Sequence, residues 1–409
     1  MREETKILTK RIGAYRSMDI KKFEELGGFK GLRRALTMKP LEVIEEIKKS
    51  GFTGRGGAGF PVANKWTFAA NQAEKRRYLI CNADEGELGT HKDRILLEGD
   101  PWAILEGILI ASYAIGAQDA FIYIKDEYRQ AFDLWKNIAL AAKPSNLPAV
   151  NLHVVRGRGL YIAGEESALI ASLGGRRPMS SPKPPYPAEH GLLGLPTVVN
   201  NVETLANVTV ILADGWEAYR KTGCPDEPGT RLYSLSGDVV KPGVYELPVG
   251  ALTVRELIDT MGNGVAGGKA IKAVQPGGGT SSFLTPDMLD CRLTTSALRA
   301  AGSSAGTAGM IVYSDRWNAV EIANNLLSYY GNESCGRCMP CRIGTKKMQE
   351  IISSIIAGRG TTEDLDRLED IGQACSMVST CGMGQAFPMP ILSALKLFHK
   401  DFESRISGS

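Results

Sequence analysis

Three cysteines, Cys335, Cys338 and Cys341, stand at C-x2-C-x2-C spacing in ESCGRCMPCR, and nothing else in the 409-residue chain constrains its folding as strongly. Such a run lets three thiolates converge on one side of a short loop, as an iron-sulfur cluster requires. In the bacterial ferredoxin pattern a fourth cysteine follows four positions after the third. That position is Thr345, so the fourth ligand must come from elsewhere. Cys375 and Cys381 are the candidates. Cys381 is favoured because CGMGQ surrounds it with glycines that permit close backbone approach, whereas Cys375 ends a helical pattern and reads equally as core. A structural zinc site would accept the same four thiolates, although zinc sites usually present two separated C-x2-C pairs. Cys81, Cys224 and Cys291 are isolated and read as ordinary thiols.

The opening MREETKILTK lacks the basic and apolar runs of a secretory signal, and the most apolar stretch, Trp102 to Ala117, is broken by Glu106. A cytoplasmic chain without a membrane span is expected. In that reducing compartment the 8 cysteines are thiols or metal ligands rather than disulfides. A formal net charge of only +3, from dispersed basic residues, argues against a nucleic-acid partner.

The length predicts two or three domains. Residues 19–49 read as helical, ending in LEVIEEIKKSG. From Arg77, apolar strands alternate with helices through YLICNA, ILEGILIASYAIG, AFIYIK, DEYRQAFDLWKNIALAA and NLHVV, which argues for a parallel sheet wrapped by helices. SSPKPPYPAEHG must be a loop lying on this first domain, since its prolines exclude regular structure. Short apolar segments such as RLYSLSG and GVYELPVG, separated by glycine turns around TVRELIDTMG, predict a small α+β domain from residue 231. Long helical patterns from about Trp317 predict a helical bundle.

Four further segments carry side chains suited to a ligand. Gly54, Gly56 and Gly59 of GRGGAGF satisfy G-x-G-x-x-G, but a helix precedes them, so the loop is not a standard Rossmann turn. Asp84, Glu85 and Glu87 of CNADEGE follow a strand, where ligands of open α/β sheets bind. Glu165 and Glu166 of IAGEESALIASLGG open a helix, where capping alone accounts for carboxylates. Asn200, Asn201 and Thr204 of VVNNVETLANV precede another helix and suit capping or a ligand equally.

The order of GRGGAGFPVANKW, CNADEGE with KDR, YIAGEESALI, KPPYP, PTVVNNVETLANV and ESCGRCMPCR resembles the NADH-binding flavoprotein subunit of respiratory complex I. The related diaphorase subunits of soluble NAD-linked hydrogenases and formate dehydrogenases share it, and the similarity runs from about residue 30 to the end. CGMGQAFPMP looks more like those soluble enzymes.

The resemblance implies a Rossmann-like α/β domain over 1–230 that binds FMN and NADH, a ubiquitin-like β-grasp domain over 231–316, and a helical bundle over 317–409. The bundle would hold a 4Fe-4S cluster on Cys335, Cys338, Cys341 and Cys381. Gly54, Arg55, Gly56, Lys65, Asn82, Asp84, Gly164, Asn200, Asn201 and Thr204 match flavin contacts, and Gly57, Gly59 and Lys183 join the cofactor-binding set. Phe60, Phe68 and Tyr186 match rings that stack on the NADH adenine. Glu85, Glu87, Glu165 and Glu166 match acidic positions lining the nucleotide pocket. Such carboxylates accept bonds from ribose hydroxyls and would repel the extra phosphate of NADPH. Lys65 would stabilise negative charge on the reduced flavin.

Relatives usually carry a proline and an aromatic residue where this chain has Leu88 and His91, and often a cysteine at Ala163. The segment from Leu147 to Gly157 is shorter than usual. Neither the thioredoxin-like nor the ferredoxin extension of several hydrogenase relatives is present, so those functions would fall to separate subunits. The reaction implied is hydride transfer from NADH to FMN, then single electrons to the cluster. Expected partners are a small 2Fe-2S thioredoxin-like subunit and a larger iron-sulfur subunit, with electron bifurcation in the assembled complex a further hypothesis. No side chain need act as a catalytic acid or base. Two other classes compete. A membrane-associated ferredoxin:NAD oxidoreductase subunit would carry two ferredoxin-type cysteine runs, and only one is present. A non-catalytic, metal-stapled binding module would leave the glycine loop and the acidic cluster unexplained.

Overall fold

The computed structural model describes residues 4–142 and 147–406. The first three residues of the opening decapeptide, residues 143–146 and the last three of the chain lie outside it.

Four strands, β1 (Tyr78–Ala83), β2 (Asp119–Ile124), β3 (Asn151–Arg156) and β4 (Thr197–Asn201), form a wholly parallel sheet in the order β3-β2-β1-β4. Both faces of β1 are buried, so its sequence reads as a continuous apolar run rather than an alternation. Leu79, Cys81 and Ala83 enter the main core, while Tyr78 and Ile80 pack on the other face against Leu169 and Ile170 of the helix Glu166–Leu173. The helix Pro101–Ile115 is almost wholly buried, begins on proline and ends at Gly116 with φ 72°. Its one carboxylate, Glu106, accepts bonds from Phe29 N (2.9 Å) and Leu32 N (2.9 Å) at the start of the helix Lys30–Leu36, which explains a charge in so apolar a segment. The expected helical region 19–49 is three helices, Ile20–Glu25, Lys30–Leu36 and Pro40–Lys49. The breaks fall at Phe29, which takes φ 56°, and before Pro40.

A two-residue ribbon, β5 (Gly223–Cys224) with β6 (Glu227–Pro228), leads to a second sheet. It comprises β7 (Thr230–Gly237), β8 (Gly243–Pro248), β9 (Ile271–Gln275) and β10 (Gly309–Ser314) in the order β8-β7-β10-β9. β7 and β10 run parallel, and the outer pairs are antiparallel. Leu257 and Ile258 pack its separate core, from a helical segment that starts with a Thr253–Glu256 capping box.

The carboxyl-terminal region is helical. Ala319–Glu333, Met339–Ile356, Thr362–Val378 and Pro388–Leu397 pack around Leu327, Met348, Leu368 and Phe387. Among the described residues no helix is long and apolar enough to cross a membrane.

Candidate functional site

In the order β3-β2-β1-β4 the connections diverge on either side of β1, and ligands of open α/β sheets bind beyond the carboxyl ends of the strands at such a switch point. Asn82 and Asn201 face each other in that register. Asn82 Nδ2 donates to Gly164 O (2.7 Å), which fixes the turn before Glu165 against β1. Asn200 Oδ1 accepts from Trp66 Nε1 (2.8 Å). Asn201 Oδ1 caps the helix Val202–Asp214 through Glu203 N (3.0 Å). Thr204 Oγ1 accepts from Arg55 N (2.9 Å), so the glycine loop is tied to the first turn of that helix. Gly54 N bonds Phe60 O (2.9 Å) and closes the loop, within which Gly57 and Gly59 take positive φ. A Cβ on Gly164 would lie 2.9 Å from Asp84 O, and one on Gly56 3.2 Å from Asn201 Cβ. Glycine thus lets these segments approach β1 and β4 closely, while Gly56 and Gly59 stay exposed.

Several singled-out side chains are already engaged. The Arg55 guanidinium turns away into the junction with the second sheet, bonding Pro228 O (3.1 Å) and Thr230 O (3.3 Å), so only its main chain reaches the loop. Glu165 accepts from Ser167 N and Ala168 N, the capping role that its position at a helix start suggests. Glu166 binds Lys65 Nζ (2.9 Å) and Lys183 Nζ (2.5 Å), and Lys183 also reaches Glu165 (3.2 Å). Although burial pushes it up, the two lysines hold the Glu166 carboxyl down at about 2. Two carboxylates therefore meet two lysines, and their charges pair within the cluster. Lys65 lies three residues before Phe68, and Lys183 three before Tyr186. Their shared partner binds the helix Val62–Ala70 to the proline-rich loop. Phe60, Phe68 and Tyr186 are 45%, 52% and 54% exposed, so their faces are free to stack on a ligand's ring.

The acidic cluster after β1 divides three ways. Glu85 is buried and accepts from Asp93 N (3.0 Å) and Tyr128 Oη (2.9 Å), so it supports the start of the helix Lys92–Gly99 and does not line an open pocket. Glu87 is held by Tyr161 Oη (2.6 Å), Thr280 N (2.9 Å) and Tyr330 Oη (3.2 Å). Burial pushes its carboxyl up against those donors. Asp84 is buried with no hydrogen-bond partner on Oδ2, and burial raises its carboxyl to about 7 although Lys125 pulls it down. Asp84 and Glu87 line a cavity of about 290 Å³ with Lys125, Glu127, Tyr161, Tyr329 and Glu333. Beneath Asn201, Lys92 is enclosed by Asp93 (2.8 Å) and Glu203 (2.8 Å), a buried cluster that the sequence shows only as part of KDR and VVNNVETLANV. Tyr161, Thr280, Tyr330 and Glu333 join the site from 74 or more positions away from Glu87, or through Tyr161, and no local pattern marks them.

At the end of the bundle, Cys335, Cys338, Cys341 and Cys381 come together closely enough for the other three to push the Cys341 thiol up, burial being the larger cause, to about 12. Cys338 and Cys381 stand at the N-caps of the helices Met339–Ile356 and Gly382–Ala386. Main-chain and hydroxyl donors from Thr380, Cys341 and Ser379 outweigh burial and lower the Cys338 thiol, as a thiolate ligand requires. Cys375 is only 1% exposed and donates to Pro340 O (3.2 Å) in the bundle core. Among the described residues no three His, Cys, Asp or Glu groups are drawn tightly enough to hold a single metal ion. A cubane cluster spreads its thiolates over four corners, wider than the ligand set of one zinc ion.

Two family models match the chain: the Nuo51 FMN-binding domain over residues 47–210, and the NADH-ubiquinone oxidoreductase-F iron-sulfur binding region over residues 321–405. An NADH-quinone oxidoreductase F subunit of Rhizobium meliloti, numbered 2 in that organism, is 41% identical over 394 residues, covering 94% of this chain and 93% of the relative. The F subunit of the Aquifex aeolicus NADH-quinone oxidoreductase is 41% identical over 406 residues, with coverages of 97% and 93%. The NADP-reducing hydrogenase subunit HndC of Solidesulfovibrio fructosivorans is 37% identical over 414 residues, with coverages of 99% and 84%. A solved structure of an NAD+-reducing NiFe-hydrogenase in the H2-reduced state superposes with a TM-score of 0.86 at 33% identity, over 99% of this chain and 68% of that one.

Proposed function

We infer the function from kinship, because this chain belongs to the family of NADH-quinone oxidoreductase F subunits and their hydrogenase counterparts. It is a flavin-dependent NADH dehydrogenase subunit with an FMN site and a 4Fe-4S site. The observation that carries this is the pairing of an exposed glycine loop, tied to the helix that follows β4 at the β1–β4 switch point, with four cysteines gathered at one end of the bundle on the same chain. FMN, when bound, accepts the hydride pair and passes electrons on singly.

The residues have distinct tasks. Gly54, Gly56, Gly57, Gly59 and Gly164 would leave room for the ring, with Asn82, Asp84, Asn200, Asn201, Thr204 and the Arg55 main chain forming its polar edge. The N-terminus of the helix Val202–Asp214 suits the FMN phosphate. Phe60, Phe68 and Tyr186 would stack on the adenine. Glu165, Glu166, Lys65 and Lys183 would orient the ribose as a neutral, hydrogen-bonding cluster, and Glu85 and Glu87 would act by holding the acidic loop in place. Cys335, Cys338, Cys341 and Cys381 would hold the cluster.

Cores on the two faces of the first sheet, in the second sheet and in the helical bundle support domains at 1–230, 231–316 and 317–409. The second sheet, with its second-first-fourth-third order and parallel central pair, supports a β-grasp reading. Named relatives are subunits of larger assemblies. We take the partners to be a small 2Fe-2S thioredoxin-like subunit and a larger iron-sulfur subunit, in the cytoplasm.

An anaerobic preparation assayed for FMN, iron and sulfide, then given NADH or NADPH while flavin absorbance is followed, tests the reading. The expected outcome is about four irons per chain and bleaching by NADH. Absent flavin with bound zinc would leave a stapled binding module. Equal bleaching by NADPH would mean that the lysines cancel the carboxylates entirely, as the NADP-reducing relative makes worth testing.

A further inference from the structure

Oxidation of NADH at a flavin leaves one proton per turnover in need of a route. Hydride transfer from NADH delivers two electrons and a proton together, and the net change is NADH giving NAD+, one proton and two electrons. The electrons leave singly toward the cysteine-held cluster, but a proton does not follow them. It must leave from the ring by a path of its own.

Asp84 stands where such a path would begin. It follows β1 directly, its carbonyl is what a Cβ on Gly164 would strike, and Asn82 on the same strand end accepts from its amide (3.1 Å). Its carboxyl is buried, Oδ2 has no partner, and it lines the 290 Å³ cavity, which has room for several waters. The far wall carries Lys125 and Glu127, the latter exposed, at the end of β2 and the loop beyond it. Among the described residues, the charged and titratable groups facing Asp84 or lining its cavity are Lys125, Asp126 and Glu127 from that end, Tyr123 of β2, Glu87 of its own loop, Tyr161, and Tyr329 and Glu333 of the helix Ala319–Glu333. Glu87 in the same cavity is already held by its donors, whereas the Asp84 carboxyl has an oxygen unpartnered, which makes it a poor anchor and a good proton carrier.

We propose that Asp84 takes the proton released at the flavin and passes it through the cavity, past Lys125 and Glu127, to solvent. The acid forms as the ring is reoxidised, and its O–H bond breaks again to cavity water, so no further oxidant or reductant is needed. This rests on the NADH-oxidising reading. The raised carboxyl, near neutrality, suits a group that must both take and give a proton at physiological pH.

The test uses the FMN- and cluster-loaded protein, reduced by NADH without oxygen and mixed with ferricyanide in a stopped-flow instrument. Flavin absorbance reports electron departure, and a pH-indicator dye in weak buffer reports the proton. In Asp84→Asn, proton release and flavin reoxidation should slow together, by about 10- to 100-fold relative to the NADH bleaching step. A flavin-replete Asp84→Asn that releases its proton as fast as wild type overturns the proposal. If Asp84→Asn loses flavin, Lys125→Met and Glu127→Gln carry the test away from the glycine loop. The pH midpoint of reoxidation should rise in the first and fall in the second, and unchanged midpoints in both overturn the proposal. Failure of the functional reading looks different, because wild-type flavin would then not bleach with NADH.

Discussion

At the carboxyl end of β1, burial raises the Asp84 carboxyl from 3.8 to about 7, with a consequence for folding that is separate from catalysis. The folded state keeps a proton that the unfolded chain gives up, so stability is full below about pH 4 and declines as pH rises toward 7. Asp84→Asn cannot ionise. Flavin-free Asp84→Asn should therefore gain about 1–4 kcal/mol over wild type at pH 8 and almost nothing at pH 4, read by urea unfolding at both values. An equal difference at both pH values would refute the assignment. A second residue-scale prediction separates the two candidate fourth ligands. Cys381→Ser should lose most of the iron, and Cys375→Ser, at a position packed 3.2 Å from Pro340 O, should keep iron and lose only some thermal stability. Iron content and the visible spectrum of each variant decide between them.

Among the elements, the amino-terminal segment behaves as a strap. Glu246 of β8 is fully buried, and its carboxylate accepts from Ile7 N, Leu8 N and Thr9 N (2.8–3.0 Å) and from Thr9 and Thr230 hydroxyls. A few residues on, Arg11 and Tyr15 bind Asp100 at the start of the long core helix (2.9 and 2.7 Å). The strap thus joins the second sheet to the first domain. Glu246→Gln removes the charge that organises these donors and should cost about 1–3 kcal/mol. The first residues should then be clipped by protease well before global unfolding, and protection equal to wild type would show that the strap is held by other contacts.

Across the whole molecule, Glu87 joins the three cores: it leaves the loop after β1, takes Thr280 from beside the second sheet, and takes Tyr330 from the helix that leads to the cluster cysteines. Tyr329 adds a bond to Gly86 O (2.8 Å), and Glu333 one to Tyr161 N (2.7 Å). Glu87→Ala strands several buried donors, at about 1–3 kcal/mol each. Denaturation should then split into separate transitions for flavin loss and cluster loss. A single transition with an unchanged midpoint would mean that packing alone holds the cores in register.

The residue types and local spacing were sufficient for the strand-helix alternation, the bundle and the cysteine run, because apolar periodicity and ligand spacing are properties of neighbours in sequence. They also kept the glycine loop from being read as a standard Rossmann turn, since the preceding LEVIEEIKKSG is helical. What each charge does was decided elsewhere. Glu85 and Glu87 look alike in CNADEGE, yet one caps a helix and the other bridges three cores, because their partners lie on other elements. Glu166 reads with Glu165 as a carboxylate at a helix start until Lys65 and Lys183 arrive from 101 and 17 positions away. Arg55 sits in the right loop with its guanidinium facing the wrong way for a ring contact. Sequence counts charges and spaces ligands, but burial and pairing fix a carboxylate's proton and direction, and these exist only once distant segments are packed together.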